Sequence, residues 1–476
     1  MSILIIDVGS SSVRALLFGY ESALISEAIA RRGYRFNADA TTDAHHLRQL
    51  VESCIDEVLM MPSIPKIRAV GMATFVGNLM GVDTYNYPTT PLYTYADNRS
   101  RESAKILTND YDGQAVHART GCRIHTAYHP AKLHWLKKNA LQLVEQTAYW
   151  VDFATYCYSE WFGYTVPCSY SIASWSGLLN RETLTWDAIW LTQLGLNEAH
   201  LPLLTDYNDT QQGLYAPYAD RWSQLRDTPF YLAIGDGAGA NIGSGGISPD
   251  RPVLTVGTTS ALRIITTQPT PPPEGLWSYR VDKNHHLIGG STNEGGNIFA
   301  WAKETLQLPL DTIEEALISS EPASHGLTVL PLLGGERSPN YNESATGTLH
   351  GITLNTTLLN ILHALLESVA LRLRLILESF DNKGDFILAG GGALHQSHAW
   401  AQIFADILER PIYLLSEREV TARGVYDLIK NQPLEQIQSA EILYDKQFFP
   451  RLHYAPRYAD LLDQQKQLYT RLYHKG

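Results

Sequence analysis

The chain has 476 residues, 44% of them hydrophobic and 18% charged, the profile of a globular protein long enough for two or three domains. Its formal net charge is −12, with no lysine- or arginine-rich cluster. That balance argues against a protein that grips a nucleic-acid backbone, although backbone amides can still hold a single nucleotide.

The start, MSILIIDVGSSS, has neither a basic n-region nor a long apolar h-region, so no signal peptide is expected. No apolar run nears the roughly 18 residues of a membrane helix. Cys54, Cys122, Cys157 and Cys168 show no CxxC spacing, which argues against a disulfide framework or zinc site and fits a reducing cytoplasm.

Strand-like and helix-like segments alternate, which predicts an α/β fold. The strand candidates, in order, are SILIIDV, SVRALLFG, RAVGMAT, FYLAIGD, PVLTVG, SALRIIT and DFILAGG. Their β-branched, apolar character suits buried sheets. Leu47, Leu50, Val51, Ile55, Val58 and Leu59 mark one amphipathic helix. Leu358, Leu362, Leu365, Leu366, Val369, Leu373, Ile376 and Leu377 mark a second, read as packing inward.

An internal echo organises the chain. Residues 4–14 read LIIDVGSSSVR and residues 253–263 read VLTVGTTSALR. Each is a strand, then Val-Gly, then three small hydroxyl residues, then a second strand with an arginine near its start. Two domains on one plan follow, 1–245 and 246–476.

Turns of this kind offer free amides and hydroxyls with little bulk, and can wrap phosphate oxygens. Either turn alone also reads as an ordinary hairpin. The pair, with Asp7 ending the first strand, favours phosphate. Asp7 can hold Mg²⁺, which prefers oxygen ligands, and Arg14 can neutralise phosphate charge. There is no Gly-Lys pair and hence no Walker motif. GAGANIG has the wrong glycine spacing for a dinucleotide fingerprint. Asp236, between Gly235 and Gly237 at the end of an apolar run, reads as a turn residue or as a reactive acid to which something large must come close. Three glycines after DFILA lead through a loop to a helix with Trp400, Ile403, Phe404 and Ile407 as its packing face. They leave room for a flat ring or serve a turn.

Together these motifs resemble the FGGY carbohydrate kinases, of the actin and Hsp70 ATPase superfamily. The likeness runs from IIDVGSSSVR through PLYTYADNR, KLHWLKKN, AIGDGAGANIG, VGTTSALRI, GGSTNEGGNIFAW, GGERSPNYNESATGTLHGI and LAGGGA to TARG at 421–424. It implies two ribonuclease-H-like domains around a central cleft, with sugar mainly on the first and ATP on the second. Asp236 would be the general base and Asp7 the Mg²⁺ ligand. Gly9, Ser10, Ser11 and Arg14 would meet the phosphates from one side, and Gly257, Thr258 and Thr259 from the other. Gly296, Gly391 and Gly392 would approach adenosine. Asn78, Asp97, Arg99, Tyr128 and Asn293 are the expected sugar contacts. Asn78 is the polar group beside Val76-Gly77, which replace a Met-His found in many members.

Lys132 reads as a helix-face residue with a solvated head, or as the partner of a substrate carboxylate. Glu336 and Arg337 read as an ion pair beside the cleft, and His125 and His129 as surface or loop groups. The expected reaction is ATP-dependent phosphorylation of gluconate, with a pentulose such as xylulose as the alternative. A non-metabolic actin-like ATPase switch is the alternative of another class. Partners are then a small sugar or sugar acid and ATP, without nucleic acid or membrane; a homodimer is compatible.

Overall fold

A computed structural model describes residues 2–19, 24–268, 271–307, 310–437 and 444–473. The strand Ser2–Val8 is buried along its whole length, and its alternate side chains feed two different cores. Leu4, Ile6 and Val8 point to one face, where Leu47, Val51, Ile55 and Val58 of the helix Ala44–Met60 cover them. Ile3 and Ile5 point to the other, against Val425, Tyr426 and Ile429 of the helix Val420–Lys430. A period of two with both faces apolar is what a central strand needs.

Among the described residues the first sheet has five strands, in the spatial order Ile234–Gly235, Ile67–Thr74, Ser2–Val8, Ser12–Gly19 and Leu24–Gly33. The first three run parallel, and the last two return antiparallel. A second sheet of seven strands runs Trp277–Arg280, His286–Thr292, Ser260–Thr266, Val253–Val256, Ile387–Gly390, Ile412–Leu415 and Tyr444–Phe448. The sequence echo becomes two matching hairpins. Asp7 pairs with Arg14 in one, and Val253 with Arg263 in the other.

The helix Leu358–Glu378 covers one face of the second sheet with Leu362, Leu365, Leu366, Val369, Leu373, Ile376 and Leu377 buried; only Leu358 of the expected face is exposed, in the first turn. In the helix His398–Leu408, Trp400, Ile403, Phe404 and Ile407 are buried as expected. The loop expected before it contains a short helix, Gly392–Gln396.

FYLAIGD departs from the strand expected there. Only Ile234–Gly235 is strand, and Phe230 touches the sheet through an isolated bridge to Val70. Asp236 then opens a helix, Asp236–Gly243, from a run rich in glycine. Glycine disfavours helix, so tertiary packing must supply the reason. This helix crosses Val420–Lys430 backbone to backbone. A Cβ on Gly243 would lie 1.9 Å from the Val420 carbonyl oxygen, and one on Gly424 would lie 1.9 Å from that of Gly239. The crossing packs a helix from the C-terminal half onto the first sheet, so the two lobes share a core that includes Ala238, Ile242, Ala422 and Val425.

Candidate active site

Between the two hairpins lies a cavity of about 280 Å³. Ser10 borders it from the first turn and Thr259 from the second, with Asp236, Arg263, Tyr128, Trp175, Tyr279 and Arg337 between them. An adjoining cavity of about 170 Å³ shares Tyr95, Ala127, Thr259 and Arg337, and adds Asn293, His125 and Glu343.

Asp236 reaches the cavity as the first residue of its helix, where the N-terminal dipole and a 2.8 Å hydrogen bond from the Gly237 amide favour a carboxylate. Burial works the other way and dominates, raising it to about 6 against the pull of Arg263 and that amide. Its glycine neighbours have a concrete use. The Trp175 indole lies across them, 2.8 Å from where a Cβ on Gly235 would stand and 3.2 Å from one on Gly237. Trp175 stacks on Tyr279 at 3.6 Å between ring centres, and Tyr279 shares a 2.7 Å hydroxyl hydrogen bond with Tyr128. An aromatic wall built from both lobes thus backs the acid, and the Trp175 indole N–H in it has no acceptor.

Asp7 is buried and raised to about 6 by that burial; Arg14 pulls it down, while Asp236 and Glu419 push it up. The Arg14 guanidinium stands 3.5 Å away and also pairs with Glu419. Two carboxylates short of partners, Asp7 and Asp236, act on each other in one cleft. Such oxygens suit a hard dication that takes its other ligands from phosphate and water. Among the described residues no group of three or more His, Cys, Asp or Glu forms a protein-only metal site.

On the second lobe the expected nucleotide residues converge. The Gly296 amide donates to the Gly257 carbonyl at 2.7 Å, and that of Asn297 to Thr258 at 3.2 Å. Gly391, at φ 105°, lies so close that a Cβ would sit 2.3 Å from the Val256 carbonyl oxygen; Gly392 faces open space. Gly9, Ser10, Ser11, Thr258 and Thr259 are exposed or half-buried turn residues, available to a ligand.

Several of the expected sugar contacts are engaged within the protein. Asn78 is buried with both ends of its amide used: its nitrogen donates to the Phe75 carbonyl and its oxygen accepts from the Phe153 amide at 2.8 Å. Asp97 and Arg99 grip each other at 2.8–3.0 Å, and Arg99 continues to Asp39 and lies over Tyr93 and Trp135. Neither borders either cavity. Tyr128 borders the central cavity, and Asn293 the adjoining one, although the Asn293 amide donates to Gly334.

Lys132 has no solvated head. Its ammonium is buried and donates to the carbonyls of Asp97 and Thr126, and burial lowers it to about 8 against the opposing Asp97. His129 is buried against the Asn78 carbonyl, and burial with Lys132 nearby lowers it to about 3. His125 does have an acidic partner, Glu343, at 3.1 Å from the opposite lobe; burial nonetheless lowers it to about 4. Glu336 pairs with Arg372 rather than with its neighbour. Arg337 instead turns into both cavities and forms no ion pair among the described residues.

Arg263 was visible in the echo without being assigned a role. It stands beside Asp236, its Nε is buried without an acceptor, and burial lowers it to about 10 despite Asp236, with Arg337 adding to the fall. Its position after the second hairpin, matching Arg14 after the first, is the signal that could have found it.

Residues 2–243 match the model of the N-terminal domain of the FGGY family of carbohydrate kinases, and residues 253–427 that of its C-terminal domain. The chain belongs to the FGGY family of carbohydrate kinases. This FGGY kinase is 26% identical to the gluconokinase of Bacillus subtilis (strain 168) over 440 residues, 88% of this chain and 85% of that protein. The solved xylulose kinase of Lactobacillus acidophilus superposes with a TM-score of 0.92 at 26% identity, covering 99% of this chain and 98% of that one. The gluconate kinase of the same organism gives 0.91 at 26% identity, with the same coverage. The two-lobed fold of the actin and Hsp70 ATPases expected from the sequence is that of this FGGY kinase. Membership also sets aside the non-metabolic switch: the enzyme moves phosphate from ATP to a sugar. No helix among the described residues is long and apolar enough to cross a membrane.

Proposed function

We propose that this kinase phosphorylates the terminal hydroxyl of an open-chain sugar acid, D-gluconate giving 6-phosphogluconate, with Asp236 as general base. The observation that carries this reading is the pair of guanidiniums, Arg263 and Arg337, in one small cavity with Asp236. Among the described residues Arg337 has no carboxylate to satisfy it. Two cations in a confined space repel each other, and a substrate carboxylate relieves that. A neutral pentulose leaves Arg337 unpaired.

Asp236 accepts the proton of the substrate hydroxyl as that oxygen attacks the terminal phosphorus of ATP. The hairpin amides and hydroxyls of Ser10, Ser11, Thr258 and Thr259 orient the phosphates, and Arg14 offsets their charge. Gly296, Gly391 and Gly392 leave room for the nucleoside. Mg²⁺, held by Asp7 together with phosphate oxygens, would supply charge neutralisation. The aromatic wall and the joined lobes exclude water, which limits ATP hydrolysis.

The test is ADP release measured across gluconate, xylulose, ribulose and glycerol, with wild type and Arg337→Ala. Gluconate is expected to give the highest kcat/KM. The variant should raise the gluconate KM by about 10–100-fold, the scale of one charge-assisted contact, and change the pentulose values little. Preference for xylulose, with equal losses on both substrates, sinks the sugar-acid reading.

A further inference from the structure

The strand residues Arg14 and Arg31 stand directly opposite each other on neighbouring antiparallel strands. Like charges in that position repel. The structure answers with one residue from the other lobe. Glu419, immediately before the helix Val420–Lys430, places Oε2 on the Arg14 guanidinium and Oε1 2.7 Å from the Arg31 Nη2. Its side chain is 12% exposed, and its backbone amide is fixed at 2.8 Å by Glu417. Arg31 is 55% exposed at the outer end of the array, Arg14 is 23% exposed, and Asp7 lies innermost, 3.5 Å from Arg14. Two residues beyond Glu419, Thr421 borders the central cavity.

A carboxylate bridging two guanidiniums has the shape and charge that a phosphate brings to such a site. We infer that Glu419 is a positioning residue that holds the place of an ATP phosphate: it keeps Arg14 aimed into the cleft, and yields that arm to the nucleotide while its other oxygen stays on Arg31. The inference rests on the reading of Arg14 as a phosphate ligand. Arg31 never needs to touch ATP. It retains the displaced carboxylate, offsets its charge against the incoming phosphate, and keeps the lobes tied during the exchange.

This arrangement gives two neighbouring substitutions opposite effects on one constant. Glu419→Gln weakens the competitor for Arg14, so KM for ATP should fall about threefold or more. Arg31→Ala leaves Glu419 with Arg14 alone, so KM for ATP should rise by a similar factor. In the double variant the effect of Arg31→Ala should vanish, giving the value of Glu419→Gln. KM for the sugar is the control and should stay within twofold throughout, with melting temperatures recorded to exclude partial unfolding. A Glu419→Gln variant with unchanged or higher KM for ATP overturns the inference, as does an Arg31→Ala variant with a lower one. Should Glu419→Gln fail to fold, Arg31→Ala decides the matter alone. Arg14→Ala separates the two readings: if its KM for ATP matches wild type, Arg14 is no phosphate ligand and that reading fails first.

Discussion

Glu367 and Asp236 are both carboxylates withdrawn from water, yet one is far more acidic than usual and the other far less. Glu367, in the core of the second lobe, accepts from His325 at 2.8 Å, His363 at 3.1 Å, the Tyr458 hydroxyl at 2.8 Å and the Ala323 amide at 3.0 Å. Burial pushes it up, but the histidine hydrogen bonds outweigh that and hold it at about 2. Asp236 has one amide and a guanidinium nearby, and burial leaves it at about 6. The difference is one of satisfaction, not of depth. Where the protein supplies every donor, the charge belongs to the fold; where it withholds them, the charge is left for a ligand.

The sharpest way to break this contrast is to neutralise each acid in turn. Asp236→Asn should lower kcat by about 10³-fold, the scale of a general base, while the protein still melts cooperatively and binds ATP; ADP release at saturating sugar measures it. Near-normal turnover would return Asp236 to the role of a helix-start residue. Glu367→Gln should do the reverse, sparing kcat per folded molecule and lowering stability by roughly 3 kcal/mol near neutral pH, seen as a lower urea midpoint. The sign follows from the lowered acidity constant. The stabilisation is fully present above about 4.5, the ordinary glutamate value, and is lost as pH falls through about 2. The gap between wild type and variant should therefore narrow in acid. The smallest effect is kinetic. Because Asp236 must be ionised to accept a proton, kcat/KM should fall about tenfold per unit below pH 6 and level off above it. A flat profile down to pH 5 would detach the base from this carboxylate.

Much of this was legible in the residues. The two hairpins announced themselves by a repeated pattern, and the buried helices by their apolar periodicity. Asp236 stood out because a charge closed an apolar run. What misled was adjacency. Glu336 and Arg337 are neighbours in sequence and read as a pair, but the backbone turns one toward Arg372 and the other into the central cavity. Asp97 and Arg99, two apart, do pair. Lys132, His125 and His129 read as wet because their types usually are. Their burial depends on segments folding over them from afar, which no local pattern encodes. The helix Asp236–Gly243 was hidden for a related reason: its glycines oppose helix locally and are required by a partner nearly two hundred residues later.

That crossing also limits how such enzymes can be rebuilt. The helices meet main chain to main chain at Gly243 and Gly424, where the joint has no room for an added methyl group. A chimera that takes one lobe from a relative would have to inherit a matching glycine in the other, even though the two positions lie on opposite sides of the exchange point. The halves are duplicated in plan, but they are not interchangeable parts.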